Sequence, residues 1–370
     1  MALTLDKLYS QLVLVAREKM ELLSASFELT SRCNLQCKMC YVCQNSNDNS
    51  KAKELTTEQW IRLAAEARDM GLLFLTLTGG EVFIREDFKE IYENLMRMGF
   101  ILTIYTNGTM ITPEIVDWLA SMPPYKVSIT LYGASRETYK EVTGSADGYD
   151  RTVRAIDSLL ARNIPTDIKT TVVQGNKNDY DKLLDFAQQR KLVLGVVNYV
   201  SPRREGNTTD PVGNRLSPQE LLEYEVHINE RDMELGLLKK AEKSSMEDPV
   251  LPLDIDHNGT QVNDPSAAFH CLAGKSAGWV TSDGRLLPCG LLDRVKAFPL
   301  ERGFDAAWEE IKQQCSLINP CKECQECPYD TFCEHCPARL LKETGYYDRT
   351  APYLCELAQK RKKAVNWLRS

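Results

Sequence analysis

The stretch SFELTSRCNLQCKMCY, residues 26–41, decides how the rest of the chain is interpreted. A short β-strand at 26–30 leads directly into three cysteines, Cys33, Cys37 and Cys40, with the spacing Cys-x3-Cys-x2-Cys. Three thiolates so close together can share one face of an iron–sulfur cluster, which leaves one iron of a cubane without a protein ligand. That iron is where a substrate or cofactor can bind. A zinc site is the alternative interpretation, although zinc favours Cys-x2-Cys pairs from two separate knuckles.

The chain as a whole has the composition of an ordinary globular protein, with 370 residues, 43% of them hydrophobic and 26% charged. Its longest apolar runs, such as 72–77, are strand-sized and fall short of the ~18 residues that a membrane helix needs. Charged residues interrupt the apolar pattern of 1–20, which excludes a signal peptide. The net charge of −7 argues against a broad basic face for nucleic acid. We therefore predict a cytoplasmic protein that binds neither membrane nor nucleic acid.

Thirteen cysteines, gathered in two groups, are the unusual feature of the composition. Four lie between Cys33 and Cys43, nine lie between Cys271 and Cys355, and none lies between the two groups. The number is odd and there is no secretory signal, whereas disulfide-dense scaffolds are normally small secreted domains. Clustered cysteines in a cytosolic chain indicate metal, with zinc and iron–sulfur as the two candidates.

The middle of the chain alternates between strand and helix patterns, which sets the fold class. The predicted strands lie at 26–30, 72–78, 101–106, 126–131, 166–173 and 192–200. The predicted helices lie at 57–69, 87–98, 113–120, 149–162 and 179–190. Apolar strands separated by helices predict a parallel sheet with its helices on the outside. Six strands are fewer than the eight of a closed barrel, so we predict an α/β fold with an open, partial barrel.

These patterns divide the chain into four segments: an N-terminal helix at 1–23, the partial barrel at 24–200, a helical linker at 201–250 and a cysteine-rich domain at 251–370. The linker carries a helix predicted at 217–243, which starts from a Ser-Pro cap. Metal often supplies the folding energy of a short domain that cannot build a large core.

The cysteine-rich domain is predicted to contain a β-hairpin at 279–290 and helices at 305–314 and 353–368. The pair Asp283-Gly284 is a good tight-turn signal for the hairpin. The second hairpin strand would then present Cys289 rigidly from its end, as cluster ligation requires.

The cysteine motif followed by the aromatic Tyr41, at the end of the first strand, resembles the radical S-adenosylmethionine (radical SAM) enzymes. The resemblance implies a partial (β/α)6 barrel over 24–200 and a [4Fe-4S] cluster held by Cys33, Cys37 and Cys40, whose open iron binds SAM. It also implies the activity, in which reductive cleavage of SAM gives a 5′-deoxyadenosyl radical that abstracts hydrogen from an unactivated carbon. The cofactor carries this chemistry, and the protein positions it.

The same resemblance assigns SAM contacts to residues on the strand ends. The run Thr78-Gly79-Gly80-Glu81 matches the second family motif, in which glycines allow close approach to the methionine end of SAM. Ser128 resembles the serine that holds the SAM carboxylate. The implied cofactor-binding residues are Tyr41, Gly79, Gly80, Glu81, Thr106, Asn107, Ser128 and Lys169. Plain β-propensity for Thr106 and a turn role for Asn107 remain open as alternatives.

The late cysteines resemble the SPASM extension, which carries two auxiliary iron–sulfur clusters in peptide-modifying radical SAM enzymes. The resemblance implies that the first auxiliary cluster is held by Cys271, Cys289 and Cys336. It assigns the second to four cysteines, namely Cys324, Cys327, Cys333 and Cys355. The spacing of Cys333 and Cys336 is one residue shorter than is usual in the family.

No cysteine lies between Cys271 and Cys289, where some family members place a fourth ligand. The first auxiliary cluster is therefore expected to have an open iron, or to take Asp283, His270 or a substrate group. The remaining thiols, Cys43, Cys315 and Cys321, are interpreted as free, although Cys321-x2-Cys324 leaves a second register open.

The SPASM resemblance implies a ribosomally made peptide as substrate, modified by a thioether or carbon–carbon crosslink, and a reductant such as flavodoxin or ferredoxin. Only some 24 residues precede the first strand, too few for a winged-helix leader-binding module. The expectation is therefore either a separate leader-peptide-binding protein as a further partner or direct recognition of the core peptide. The auxiliary clusters would bind substrate or accept the electron released by product formation.

Three alternative functions stay open at this point. The first is a small-molecule or tetrapyrrole-modifying SPASM oxidoreductase, and the second is a peptide epimerase in which Cys43 returns a hydrogen atom. The third is an iron–sulfur carrier without SAM chemistry. A carrier needs neither Gly79-Gly80-Glu81 nor a full barrel, which argues against it.

Overall fold

The computed structural model describes residues 5–42, 51–204, 211–236 and 268–369, and its centre is one sheet of eight strands. The strands are β1 (Ser24–Thr30), β2 (Phe74–Gly79), β3 (Ile101–Thr106), β4 (Lys126–Thr130), β5 (Thr166–Thr171), β6 (Leu194–Val197), β7 (Ala277–Val280) and β8 (Leu286–Leu287). Their order across the sheet is β6-β5-β4-β3-β2-β1-β7-β8. Strands β1 to β6 all pair in parallel, which confirms the predicted partial barrel.

Helices alternate with these strands and surround the sheet. They are α1 (Leu5–Lys19), α2 (Thr57–Asp69), α3 (Phe88–Arg97), α4 (Pro113–Ser121), α5 (Arg136–Thr143), α6 (Gly148–Ala161), α7 (Tyr180–Gln189), α8 (Pro218–Glu234), α9 (Pro299–Arg302), α10 (Phe304–Ser316), α11 (Lys322–Gln325), α12 (Pro337–Thr344) and α13 (Pro352–Arg369). None of the helices in the described ranges is long and apolar enough to cross a membrane.

The side chains of the barrel strands separate an apolar outer face from a polar inner one, because successive residues of a strand point to opposite faces. On β1 the outward-facing Phe27 is fully buried and packs against Trp60 of α2, with ring centroids 5.0 Å apart. Its neighbour Glu28 points to the opposite face. That inner face, here called the lumen, is where polar residues collect.

Helix α5 is an element that the sequence analysis missed. It is only eight residues long and mostly polar, so its apolar periodicity is weak. Its ends are well defined, since Ser135 caps the N-terminus and Gly144 adopts the left-handed conformation at the C-terminus. The predicted alternation therefore holds one extra helix between β4 and α6.

The predicted hairpin is present, but it also extends the barrel sheet. Strand β7 pairs antiparallel with β8 and parallel with β1, with Ser26 in register with Trp279. Cys289 follows β8 directly. The hydrogen-bonded sheet thus fixes the start of the late cysteine region relative to the strand that leads to Cys33.

Helix α1 covers the N-terminal ends of the barrel strands. Tyr9 packs edge-on against Phe74 at the start of β2, with ring centroids 4.5 Å apart. Val13 and Ala16 are buried in a small apolar cluster with Leu23. This packing attaches α1 to the starts of β1 and β2.

The linker helix and the C-terminal helix pack together. The predicted Ser-Pro start is confirmed, because Ser217 forms a capping box with Glu220 at the beginning of α8. The predicted helix at 217–243 ends earlier, at Glu234, and residues 237–267 lie outside the described ranges. Buried Arg361 of α13 donates to Glu225 of α8 at 2.8 Å, which joins the two helices.

Candidate active site and auxiliary cysteine groups

The segment after β1 brings Cys33, Cys37 and Cys40 within electrostatic range of one another. Its backbone is held by α5, because the amides of residues 36 and 38 donate to the carbonyls of Thr143 and Val142 at 3.0 and 3.1 Å. Those carbonyls belong to the last turn of α5, which has no helical partner for them. The helix that the sequence analysis missed therefore positions the cysteine motif.

Burial governs the ionisation of these thiols. It raises the pKa of Cys33 to about 12 and that of Cys37 well above its usual value, and the neighbouring thiols add to both shifts. The thiols are therefore protonated at neutral pH in the metal-free protein. Iron binds thiolate, so cluster assembly must release these protons.

The donor set fits a cubane better than a single ion. Within the described ranges, no three His, Cys, Asp or Glu side chains converge closely enough to hold one metal ion. In a cubane each thiolate binds a different iron, so its ligands stand further apart than those of one ion. Cys33, Cys37 and Cys40 lie close together, with Cys37 buried and the other two half-buried, and match that requirement.

Asn107, at the end of β3, is the residue that joins the cysteine segment to the barrel. Its side-chain amide donates to Cys33 Sγ at 3.7 Å and to Asn34 Oδ1 at 3.0 Å. Its oxygen accepts from the hydroxyl of Thr109 at 2.6 Å. Both ends of the amide are thus fixed, and the nitrogen is aimed at the sulfur.

The two glycines after β2 lie against the protein's own backbone. A Cβ on Gly79 would lie 2.3 Å from the carbonyl oxygen of Thr30, and a Cβ on Gly80 would lie 2.1 Å from that of Arg32. The amide of Gly80 donates to Thr30 at 2.7 Å. The glycines therefore let the end of β2 contact the chain that leads to Cys33, in addition to any role beside SAM.

Glu81 is fully buried, and protein donors surround its carboxylate. It accepts from the Thr106 hydroxyl and the backbone amide of Asn107, both at 2.8 Å, and from the backbone amide of Phe83 at 3.2 Å. Burial raises its pKa, and these donors oppose the shift. Glu81 and Thr106 thus hold the ends of β2 and β3 together, which fixes the position of Asn107.

One layer of lumen residues contains polar atoms without partners. Tyr105, Ser128 and Asp167 are aligned across β3, β4 and β5. In the described part of the chain, Ser128 Oγ and Asp167 Oδ1 are buried and have no hydrogen-bond partner. Buried polar atoms are normally satisfied, so this layer is suited to bind a polar ligand. SAM, with its ribose hydroxyls, ammonium and carboxylate, is a ligand of that kind.

Four charged residues line the same face, and the sequence analysis singled out none of them. Lys126 lies 2.6 Å from Asp167, and Arg204 donates to Glu28 at 2.7 Å. Glu28 alone carried a signal, because it is a charged residue between Phe27 and Leu29 in an otherwise buried strand. Its pairing with residue 204 is not visible in the sequence.

Two predicted cofactor residues, Tyr41 and Lys169, lie beside these charges. Burial raises the pKa of Tyr41 to about 12, and the Arg204 guanidinium lies 5.4 Å from the centre of its ring. Lys169 is in register with Thr130 on the lumen face and donates to the hydroxyl of Tyr105 at 2.8 Å.

The three cysteines expected to hold the first auxiliary cluster lie near one another, and a fourth cysteine lies beside them. Burial and the charges of Cys271 and Cys336 raise the pKa of Cys289 to about 12, so these three thiols are close. Cys315, interpreted above as an unrelated free thiol, is buried within electrostatic range of Cys271. Two other side chains, Asp283 and His270, were considered as ligands of this cluster, and both are less well placed to bind it.

Asp283 and His270 are those alternatives. Asp283 accepts from the Thr281 hydroxyl at 2.5 Å and from Arg285 at 3.0 Å, which commits its carboxylate to the hairpin turn. His270 stacks edge-on with His335, with ring centroids 6.2 Å apart. Among the described residues His270 Nδ1 has no partner, and the ring borders a cavity of about 30 Å³ that Cys321 also lines.

The second auxiliary group contains the four expected cysteines and one more. Cys321, Cys333 and Cys355 all act on the ionisation of Cys324, and Cys327 acts on Cys355. Cys321 is only 2% exposed and lies beside Cys324. Every cysteine of the described ranges therefore belongs to one of three groups, and Cys43 lies outside those ranges.

Comparison with known proteins agrees with this architecture. A family profile described as the radical SAM superfamily matches residues 27–189. The AdoMet-dependent heme synthase of Methanosarcina barkeri is 28% identical over 336 residues, covering 89% of this chain and 95% of that protein. The sporulation killing factor maturation protein SkfB of Bacillus subtilis is 25% identical over 305 residues, covering 82% of this chain and 68% of that protein.

The fold is also similar to that of solved structures. Streptococcus suis SuiB bound to precursor peptide SuiA has a TM-score of 0.67 to this chain at 16% identity, covering 94% of this chain and 80% of that chain. A partial barrel with a three-cysteine segment at its mouth and two further cysteine groups defines an iron–sulfur enzyme. The chain is a radical SAM enzyme with a SPASM-type C-terminal region. Its cofactors are SAM, a SAM-binding [4Fe-4S] cluster and auxiliary clusters.

Proposed function

We propose that this enzyme abstracts hydrogen from a residue of a ribosomally made peptide and thereby forms a thioether or carbon–carbon crosslink in it. The observation that carries the proposal is the balance of charge in the lumen. Lys126 is paired with Asp167, and Arg204 is paired with Glu28. Lys169 of the same face donates to the Tyr105 hydroxyl. A lumen in which Lys126 and Arg204 are neutralised by carboxylates suits a substrate of low net charge, such as a peptide segment.

The pairing of Arg204 with Glu28 is deeply buried, with side chains only 11% and 4% exposed. Trp279 of β7 also donates to Glu28, at 2.8 Å. Removing either partner of such a pair would leave an uncompensated buried charge, which is strongly unfavourable. Arg204 therefore lines the site as a structural residue. Its guanidinium is committed to Glu28 and does not bind a substrate carboxylate.

Residues of this chain would have separate roles in binding the cluster and the cofactor. Cys33, Cys37 and Cys40 would hold the SAM-binding cluster, and Asn107 would orient the sulfur of Cys33. Ser128 would hold polar groups of the bound cofactor, since its hydroxyl is unpaired within the described ranges. When bound, the cluster and SAM supply the carbon-radical chemistry.

A second candidate is the modification of a tetrapyrrole. It is favoured by the heme synthase relative, which matches this chain over 95% of its own length. A tetrapyrrole with carboxylate side chains needs cations that are free to bind them. The pairing of Lys126 and Arg204 weighs against this candidate, and a direct comparison of substrates decides it.

The test uses the full-length enzyme, reconstituted anaerobically and reduced in the presence of SAM. One reaction receives synthetic peptides copied from short reading frames beside the gene, with deuterium on their carbon atoms. A parallel reaction receives a deuterated tetrapyrrole that carries carboxylate side chains. The Cys33→Ala variant serves as the control and should give no 5′-deoxyadenosine with either substrate.

The expected result is deuterium in 5′-deoxyadenosine from a peptide, together with a peptide product that has lost two hydrogen atoms. Deuterium from the tetrapyrrole, with loss of carbon dioxide from a side chain, would overturn the peptide proposal. A peptide that transfers one deuterium to 5′-deoxyadenosine and gains one hydrogen in its place, with no further loss of hydrogen, would identify an epimerase instead.

A further inference from the structure

We propose that Cys315 is the fourth cysteine ligand of the first auxiliary cluster, completing the set Cys271, Cys289 and Cys336. This replaces the expectation of an open iron on that cluster. The inference concerns the cysteines alone, so it holds for either substrate considered above.

The contact that carries the inference is between Cys315 and Gly274. A Cβ on Gly274 would lie only 2.6 Å from Cys315 Sγ and 3.6 Å from the side chain of Pro288. Gly274 comes three residues after Cys271, and Pro288 immediately precedes Cys289. The thiol of Cys315 therefore lies against the turn that follows Cys271, and that turn also contacts the residue before Cys289.

Cys315 Sγ can lie this close to the turn only because Gly274 has no side chain. Gly274 has φ +66°, a conformation that residues with a Cβ rarely adopt. It lies in a tight turn, where its amide donates to the carbonyl of Ala277 at 3.1 Å, just before β7. The sheet thereby fixes the turn at the point where it contacts Cys315.

The helix that carries Cys315 is also anchored to the rest of the fold. Cys315 lies in the last turn of α10 and is 8% exposed, on the face that also buries Trp308 and Ile311. Trp308 Nε1 donates to the carbonyl of Met20 at 3.2 Å, which anchors the helix to the chain before β1. A cysteine can also serve as a small apolar residue on such a face. That simpler role is what the experiment must separate from ligation.

Chemistry favours the thiol over the other nearby groups. Thiolate is the preferred ligand of iron–sulfur clusters, ahead of carboxylate and imidazole. Asp283 is already held by Thr281 and Arg285 in the hairpin turn. His270 borders a cavity that His335 and Cys321 of the second auxiliary group also line. A cluster with four cysteine ligands has no iron free for a substrate thiol.

The experiment removes the SAM-binding cluster first, so that only auxiliary clusters remain. In a full-length Cys33→Ala, Cys37→Ala, Cys40→Ala background, the variants Cys315→Ala and Cys315→Ser are compared with Ile311→Val. The last of these trims the same buried face of α10 without touching a ligating atom. Iron per chain, thermal unfolding and the electron paramagnetic resonance spectrum of the reduced protein are measured with and without 2-mercaptoethanol.

With Cys315 intact, 2-mercaptoethanol should leave the spectrum unchanged, because no iron is open to it. In Cys315→Ala either the spectrum should shift and added 2-mercaptoethanol should restore it, or the iron of about one cubane should be lost. Ile311→Val should match the background in spectrum and iron. In the metal-free proteins, Cys315→Ser should unfold at the same temperature as Ile311→Val, which separates a lost ligand from a damaged fold.

Two outcomes would overturn the inference. The first is a spectrum that responds to 2-mercaptoethanol while Cys315 is intact, which would mean that an iron is already open. The second is a Cys315→Ala protein with unchanged iron and a spectrum that ignores the thiol, which would make Cys315 a packing residue only.

Discussion

The side-chain amide of Asn107 lies 3.7 Å from the sulfur of Cys33 and donates to it from the end of the third barrel strand. The same amide nitrogen lies 3.0 Å from Asn34 Oδ1. Hydrogen bonds to cysteine sulfur tune the reduction potential of an iron–sulfur cluster and orient the ligand. The two residues are 74 positions apart in the chain, so this relationship exists only in the folded protein.

Replacing Asn107 by alanine should slow SAM cleavage while leaving the iron content unchanged. The substitution removes the donor to Cys33 but none of the cysteines, and loss of such a supporting contact typically costs about 10- to 100-fold in activity. The measurement is the rate of 5′-deoxyadenosine formation together with the midpoint potential of the cluster. Asn94→Ala, an exposed amide on α3, is the control. An unchanged potential and rate would show that the 3.7 Å contact has no role.

Replacing Gly80 by alanine should reduce the iron content by about one third, because one of three clusters is lost. The new Cβ would lie 2.1 Å from the carbonyl of Arg32, so the segment leading to Cys33 must move. Gly195→Ala is the control, since its Cβ would make an ordinary 3.4 Å contact with Lys169. Full iron content combined with weakened SAM binding would instead mean that the glycine serves the cofactor alone.

Replacing Ser128 by alanine should have opposite effects on the fold and on the cofactor. Ser128 Oγ is buried without a partner among the described residues, so its removal should stabilise the SAM-free protein by about 1 kcal/mol. SAM binding should weaken by about tenfold, because a hydrogen bond to a charged group is lost. Urea unfolding and equilibrium dialysis measure the two effects. Ser121→Ala, on an exposed part of α4, should change neither.

Iron binding by the metal-free protein should strengthen as the pH rises. Burial raises the pKa of Cys33 from its ordinary value of 9.0 to about 12, so the thiol is protonated across the neutral range. Each proton that iron displaces makes binding about tenfold tighter per pH unit below that pKa. Competition with a chelator at pH 7 and pH 8 measures the slope. The Cys33→Ala variant should show a slope smaller by about one, and an equal slope would mean that Cys33 binds as a preformed thiolate.

Much of the barrel could be predicted from local sequence patterns. Helix α2 runs from Thr57 to Asp69 as predicted, because its apolar spacing is regular and Thr56 caps it. The hairpin around Asp283-Gly284 also forms as expected, since the turn depends on two adjacent residues. Helix α5 was missed because its eight residues carry too weak a periodicity, and its ends are defined by cap geometry.

The proximity of the three motif cysteines could be predicted from the sequence, whereas the contacts of the residues around them were predicted less completely. The spacing of Cys33, Cys37 and Cys40 is a local property, and the fold keeps them together. The sequence analysis explained Gly80 by access to SAM, whereas its missing Cβ faces the carbonyl of Arg32. That carbonyl is 48 residues away along the chain, and the parallel pairing of β1 and β2 brings it close.

The sequence by itself determined the alternation of strands and helices in the barrel, the cysteine motif and the presence of late cysteine groups, because each is encoded by residues that are near one another in the chain. Only the tertiary structure decided which distant groups meet. It placed Arg204 against Glu28, and it brought Cys315 to the turn at Gly274. Such partners depend on how the sheet and its helices pack, and packing places side chains together through shape and burial that leave no spacing pattern in the sequence.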